Sequence, residues 1–213
     1  MTLNSPLDIN NNYNETCVWL GCTAARGKTT EESVFNAIWN KFQSMNVTTR
    51  DGRLLSYYKY GDNAGNVTEL NGLLVSGNGQ CASWADLFQK VIYAQGINSI
   101  YKYVIDIKNN KNIYINDGLY DLIGIKQKNT KFQGNKDNGY IGPNKDFIRH
   151  IFNIYDNKIY DTTMQCVGGV DINTYLNDNI LLIFDNKKGD KKYINPNDYN
   201  HSYSEYLDLN TIY

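Results

Sequence analysis

Hydrophobic residues recur in the first half of the chain at the three-and-four interval of a helix, and in the second half at every other position. The earliest periodic stretch is Phe35, Ile38, Trp39 and Phe42, which share one helical face. Thr29 and Glu32 precede it at capping-box spacing, predicting a helix from there to near Met45. Arg50-Asp51-Gly52-Arg53 reads as a turn, Leu54 to Tyr60 as a short strand, and Val67 to Val75 as a weaker helical segment. The clearest helix carries Cys81, Trp84, Leu87, Phe88, Val91, Ile92 and Gln95 on one stripe and stops at Gly96. After it the period falls to two. Ile97 to Ile107, Asn112 to Asn116, Leu119 to Gln127, Ile148 to Tyr155, Lys158 to Thr163 and Ile180 to Phe184 read as strands rich in Tyr, Ile and Val. Helices followed by strands predict an α+β fold, with the helices packed on an antiparallel β-sheet.

Outside these elements, residues 1–16 are polar, Asn-rich and aperiodic, as in a loose arm. Residues 128–145 form a Gly, Asn and Lys stretch long enough to be a functional or disordered loop. The expected organisation is an arm and lead-in over 1–28, a core over 29–186, and a polar tail over 187–213 that packs on the core. A chain of 213 residues buries roughly 70% of its unfolded surface, enough for one domain with a substantial core.

Composition narrows the function classes. With 41% hydrophobic residues, 20% charged and a net charge of −1, the chain is not disordered, and bulk charge gives it no hold on nucleic acid. No apolar run approaches the roughly 18 residues of a membrane span. The start, Met-Thr-Leu-Asn-Ser-Pro, lacks a basic stretch followed by an apolar one, so no signal peptide is read there. The 31 Asn and 18 Tyr are spread along the chain, which is compatible with an exported or cell-surface protein slightly more than with a cytoplasmic one. Only two His and four Cys are present, with no Cys-x-x-Cys or His-x-x-x-His spacing, so neither a metal nor another cofactor is expected. Cys17 and Cys22 fit either a disulfide or two buried thiols.

Cys81 opens its helix directly after a glycine-containing turn. Peptide dipoles and unpaired N–H groups at such a position stabilise negative charge, either on a sulfur or on a developing oxyanion. Gly77 and Gly79 let the backbone approach a substrate closely. The plain alternative is that Cys81 is only the first core residue of a buried helix. A base is available in His150, which leads a stretch that reads as a hairpin turning at Asp156-Asn157. With a two- or four-residue loop, Tyr155 faces Lys158, Phe152 faces Asp161 and His150 faces Thr163. His150 and Asp161 then project from one face as diagonal neighbours about 7–8 Å apart at the backbone, within reach of an imidazole–carboxylate bond. A three-residue loop would put them on opposite faces. His201, in a polar segment without a partner pattern, reads as surface.

Gly79-Gln80-Cys81-Ala82-Ser83-Trp84-Ala85-Asp86-Leu87-Phe88, followed by Gln95-Gly96-Ile97, resembles the nucleophile helix of the transglutaminase-like superfamily. His150 leading one strand and Tyr160-Asp161-Thr162-Thr163 closing the next resemble its second and third triad motifs, and the likeness covers roughly residues 30–165. The resemblance implies a papain-like core with Cys81 as nucleophile, His150 as general base and acid, and Asp161 as the orienting acid. Members of the superfamily crosslink proteins through glutamine, hydrolyse peptides or amides, or have lost activity. This chain is much shorter than the animal transglutaminases and lacks their flanking β domains and acidic calcium-binding stretches. Calcium-dependent crosslinking is therefore not expected, and the 11-position interval from His150 to Asp161 resembles compact microbial members.

For an oxyanion donor the backbone N–H of Cys81 is the first choice. Gln80, Trp19, Trp39 and the Tyr57-Tyr58 pair are side-chain candidates that spacing does not rank, while Trp84 reads as core. The expectation is thus a cofactor-free thiol enzyme acting on an amide of a peptide or protein, with hydrolysis favoured over transfer to an amine. The alternative is a catalytically silent binding or structural module of a surface or envelope protein, suggested by the Tyr- and Asn-rich composition. Nothing in the pattern fixes an oligomeric state.

Overall fold

A computed structural model describes residues 15–57, 67–108, 112–115, 118–127, 133, 146–147, 149–163, 168–186, 191–199 and 202–212. Most of the expected arm, the 128–145 loop apart from Gln133, Tyr58, Cys166 and His201 lie outside the described residues. Within them the protein is mixed α+β, with five α-helices and an antiparallel five-stranded sheet.

Helix α1 (Glu15–Ala24) lies in the segment that reads as an arm and lead-in, and it buries Thr16, Cys17, Leu20 and Gly21. Its Cys17 and Cys22 are both free thiols. Five positions apart on one helix, they project from different faces and cannot bridge. Helix α2 (Glu31–Gln43) starts one residue later than the spacing predicts: Thr30 is the cap, and Ser33 rather than Glu32 closes the box. Its buried face, Val34, Phe35, Ile38, Trp39 and Phe42, meets Phe88 of α4 (Cys81–Tyr93) through ring contacts at 4.9–5.7 Å from Phe35, Trp39 and Phe42.

The approach to α4 is tight. Helix α3 (Leu70–Ser76) ends on Gly77 at φ 78°, and β2 (Asn78–Gly79) then pairs in parallel with β1 (Ser56–Tyr57) immediately before Cys81. A Cβ at Gly79 would collide with Ser83 Oγ. A side chain is therefore excluded where β2 turns into the helix.

The strands form two larger sheets where the sequence suggests one. The first runs β12 (Leu207–Ile212), β3 (Ile100–Ile107), β7 (Arg149–Tyr155), β8 (Lys158–Tyr160), β9 (Gly168–Val170), all antiparallel neighbours. The second runs β11 (Lys191–Ile194), β10 (Ile180–Asn186), β5 (Gly118–Gln127), β4 (Asn112–Ile115), with β6 (Asp146–Phe147) paired to β5. The segment that reads as a polar tail thus supplies a strand to each sheet. Strand β7 carries a core on either face. Ile151 and Tyr155 pack against the helical core, whereas Phe152 and Ile154 belong to a second core with α5 (Ile172–Asn179), β10 and Tyr203. The second core is the reason β7 reads as nearly continuous apolar sequence rather than clean alternation.

Candidate active site

The β7–β8 hairpin turns through Asp156 and Asn157 at φ 49° and 57°, a two-residue connection of the type that suits the strand twist. Tyr155 lies opposite Lys158 and Asn153 opposite Tyr160, the register expected from the sequence. The ladder stops at Tyr160, and the chain turns away through Asp161 to Thr163. His150 and Asp161 meet here, with Nε2 to Oδ2 at 2.8 Å and both residues fully buried.

Four donors fill the Asp161 carboxylate. Thr163 gives its backbone N–H at 3.0 Å and its hydroxyl at 2.6 Å to Oδ1, while Tyr175 gives its hydroxyl at 2.7 Å to Oδ2 beside the imidazole. A carboxylate has about four acceptor sites, and a protonated one would have to donate from one of them. The cradle therefore selects the ionised acid, and Nε2 of His150 must carry a hydrogen. Nδ1 is the ring nitrogen that the Asp161 bond does not use, and Cys81 lies near enough to the imidazole to act on its protonation. Burial pushes the His150 imidazole towards neutrality, but the charge and hydrogen bond of Asp161, followed by Cys81, outweigh it and raise the pKa to about 10. Burial likewise opposes ionisation of Asp161, and the imidazolium with the Thr163 and Tyr175 bonds holds it below the ordinary carboxyl value.

Cys81 is the first residue of α4, so its N–H lies outside the helix's internal ladder and points past the helix start. At 8% exposure it is the outermost of the three groups, in front of an imidazole and an acid with none. A thiol nearer the surface than the imidazole and acid it adjoins is an order that suits attack on an incoming electrophile. Cys17 differs: burial pushes its thiol up to about 12, only partly offset by Lys90, as for an inert core thiol.

The other sequence candidates fall in different places. Gln80 caps α4 by its backbone, accepting from Trp84 N, and its own N–H goes to Val67 O; its side chain does not cap the helix. Gly79 pairs with Tyr57 across β1 and β2, which puts Tyr57, 2% exposed, beside the entry to Cys81. Trp39 packs edge-on against Phe88 and Tyr160 and under Gly168, inside the helical core. Trp84 is fully buried, and Trp19 is half-buried against the same core.

Two residues have no sequence signal. Tyr175 arrives from α5. Gln133, fully buried, donates Nε2 to Phe42 O at 2.8 Å and Thr162 O at 3.1 Å, gives its N–H to Thr163 O and accepts from Tyr57 N. It thereby ties the strand beside the Cys81 entry to the turn that carries Asp161. No group of three or more His, Cys, Asp or Glu among the described residues could hold a metal, and no described helix is long and apolar enough to cross a membrane. Compared with known proteins, the chain matches no family model, no curated protein and no solved structure.

Proposed function

We propose that this protein is a transglutaminase-like thiol enzyme with a papain-like core, in which Cys81 attacks an amide carbonyl of a peptide or protein. The observation that carries this reading is the buried His150–Asp161 pair close to the thiol at the start of α4, bonded through Nε2 so that Nδ1 is the ring nitrogen not used by the acid. The reaction starts from a sulfur anion beside an imidazole that holds both hydrogens. The sulfur forms a bond to the carbonyl carbon, and the oxygen takes the electron pair and accepts from the Cys81 N–H. Collapse breaks the C–N bond, and the amine leaves with the Nδ1 proton. Neutral His150 then takes a proton from water as the water attacks the thioester. This releases the acid and restores the sulfur anion and the imidazolium. Water rather than an amine is proposed to resolve the thioester.

The test is alkylation of the intact protein by iodoacetamide near neutral pH, read residue by residue, together with hydrolysis of fluorogenic peptide amides with and without an added primary amine. Cys81 is expected to react much faster than Cys17 and Cys22. Cys81→Ala is expected to abolish turnover while the far-UV spectrum stays unchanged. Equal labelling of all thiols, or turnover retained in Cys81→Ala, refutes the enzyme and favours the silent module.

A further inference from the structure

Three of the four bonds to the Asp161 carboxylate come from the hairpin and the turn that also carry His150. The fourth comes from another layer. Tyr175 sits on α5, fully buried, with its ring 5.1 Å from that of Phe152, which in turn lies 5.9 Å from the His150 ring. Imidazole and phenol thus rest against the same side chain and converge on the same oxygen, Oδ2. Phenylalanine would fill the apolar space equally well. A buried hydroxyl needs a partner to offset its desolvation, and this one has Asp161. Thr163 bonds Oδ1, whereas Tyr175 holds Oδ2 from the α5 side and keeps it on the line to Nε2.

We infer that Tyr175 is a positioning residue for the Cys81 reaction, its hydroxyl locking Oδ2 of Asp161 so that the second core fixes how His150 faces the sulfur. This rests on the thiol-enzyme reading above. A bond to a charged acceptor is among the stronger ones in proteins, so its loss has a measurable effect on the geometry it holds. An imidazolium held firmly against the sulfur stabilises the anion. A loosened one does so less, and Cys81 reacts more slowly.

The experiment measures the second-order rate of iodoacetamide alkylation of Cys81 from pH 4 to 9 in the intact protein and in Tyr175→Phe. Tyr175→Met, which fills the space with a flexible chain, serves if the Phe variant does not fold. The expected result is a roughly tenfold lower rate in Tyr175→Phe near neutral pH, with the number of reactive molecules unchanged. Thr174→Val, half-buried on the same helix, should leave the rate in place. A variant with fewer reactive molecules but the original rate shows a purely structural phenol and overturns the inference, yet leaves the enzyme intact. Wild-type Cys81 that reacts no faster than Cys22 at any pH overturns both.

Discussion

Replacing Asp161 by Asn is the most informative single change, because the structure dictates how the new amide must sit. Thr163 N–H can only donate, so Oδ1 must stay an acceptor and the NH₂ must take the place of Oδ2, facing His150 and Tyr175. The phenol can turn to accept. The imidazole can do so only by losing its Nε2 hydrogen, which reverses the tautomer and puts N–H rather than a lone pair on the neutral Nδ1. With the carboxylate's charge and bond gone, the largest influence that raises the His150 midpoint is lost, so it falls from about 10 towards its ordinary 6.5. At 1.36 kcal/mol per unit the pair is worth at most about 5 kcal/mol, within the roughly 3–5 kcal/mol for breaking a buried ion pair. With two histidines in the chain, His201→Gln leaves one imidazole in a ¹⁵N spectrum. The native protein should show His150 doubly protonated from pH 5 to 8.5. Asp161→Asn should show it neutral at pH 7.5 with hydrogen on Nδ1, and alkylation of Cys81 at that pH should drop at least about tenfold. A native imidazole titrating near 6.5, or an unchanged tautomer in the variant, would defeat the account of the site.

Stability should follow the same pair. The raised His150 value gives stability that is complete below 6.5 and lost as pH climbs through about 10, while the lowered Asp161 value gives stability present above 3.8 and lost as pH falls through its native value. Urea midpoints should therefore be lower at pH 9.5 than at 5.5, and the difference should shrink in His150→Gln. Gly79→Ala should cost about 1–3 kcal/mol by pressing Cβ onto Ser83 Oγ, and adding Ser83→Ala should recover part of that; strictly additive urea midpoints would show that the collision is not the cause. At the hairpin turn, Asn157→Gly should keep or raise the melting temperature, and Asn157→Val should lower stability by about 1–2 kcal/mol, because φ 57° suits glycine and disfavours a branched side chain.

What the sequence made legible is what local rules control. The α4 stripe declares its period over four turns, and the His150 hairpin declares its register through a turn that only a few residue pairs favour. Helix α1 escapes because its buried face includes Thr16 and Gly21, which carry no hydrophobic signal. Helix α5 escapes because it is built from Asn, Thr and Asp around Tyr175 and Leu176, and is held at its start by the Asp171 side chain accepting from Thr174 N. Gln133 and Tyr175 could not be found by pattern at all, since their partners lie 29 and 14 positions away and are set by tertiary packing. Trp39 shows the converse: its spacing suits either a site or a core, and the packing around Phe88 and Gly168 puts it in the core.

Strand β12 lies at the rim of the five-stranded sheet and hydrogen-bonds β3 along Leu207 to Ile212. Any shortened version that stops before Leu207 strips that cover and leaves β3 with a bare row of amide and carbonyl groups, one strand removed from the imidazole. Such a row invites pairing with a second molecule, so trimming what reads as a polar tail should produce sticky assemblies before it touches the chemistry.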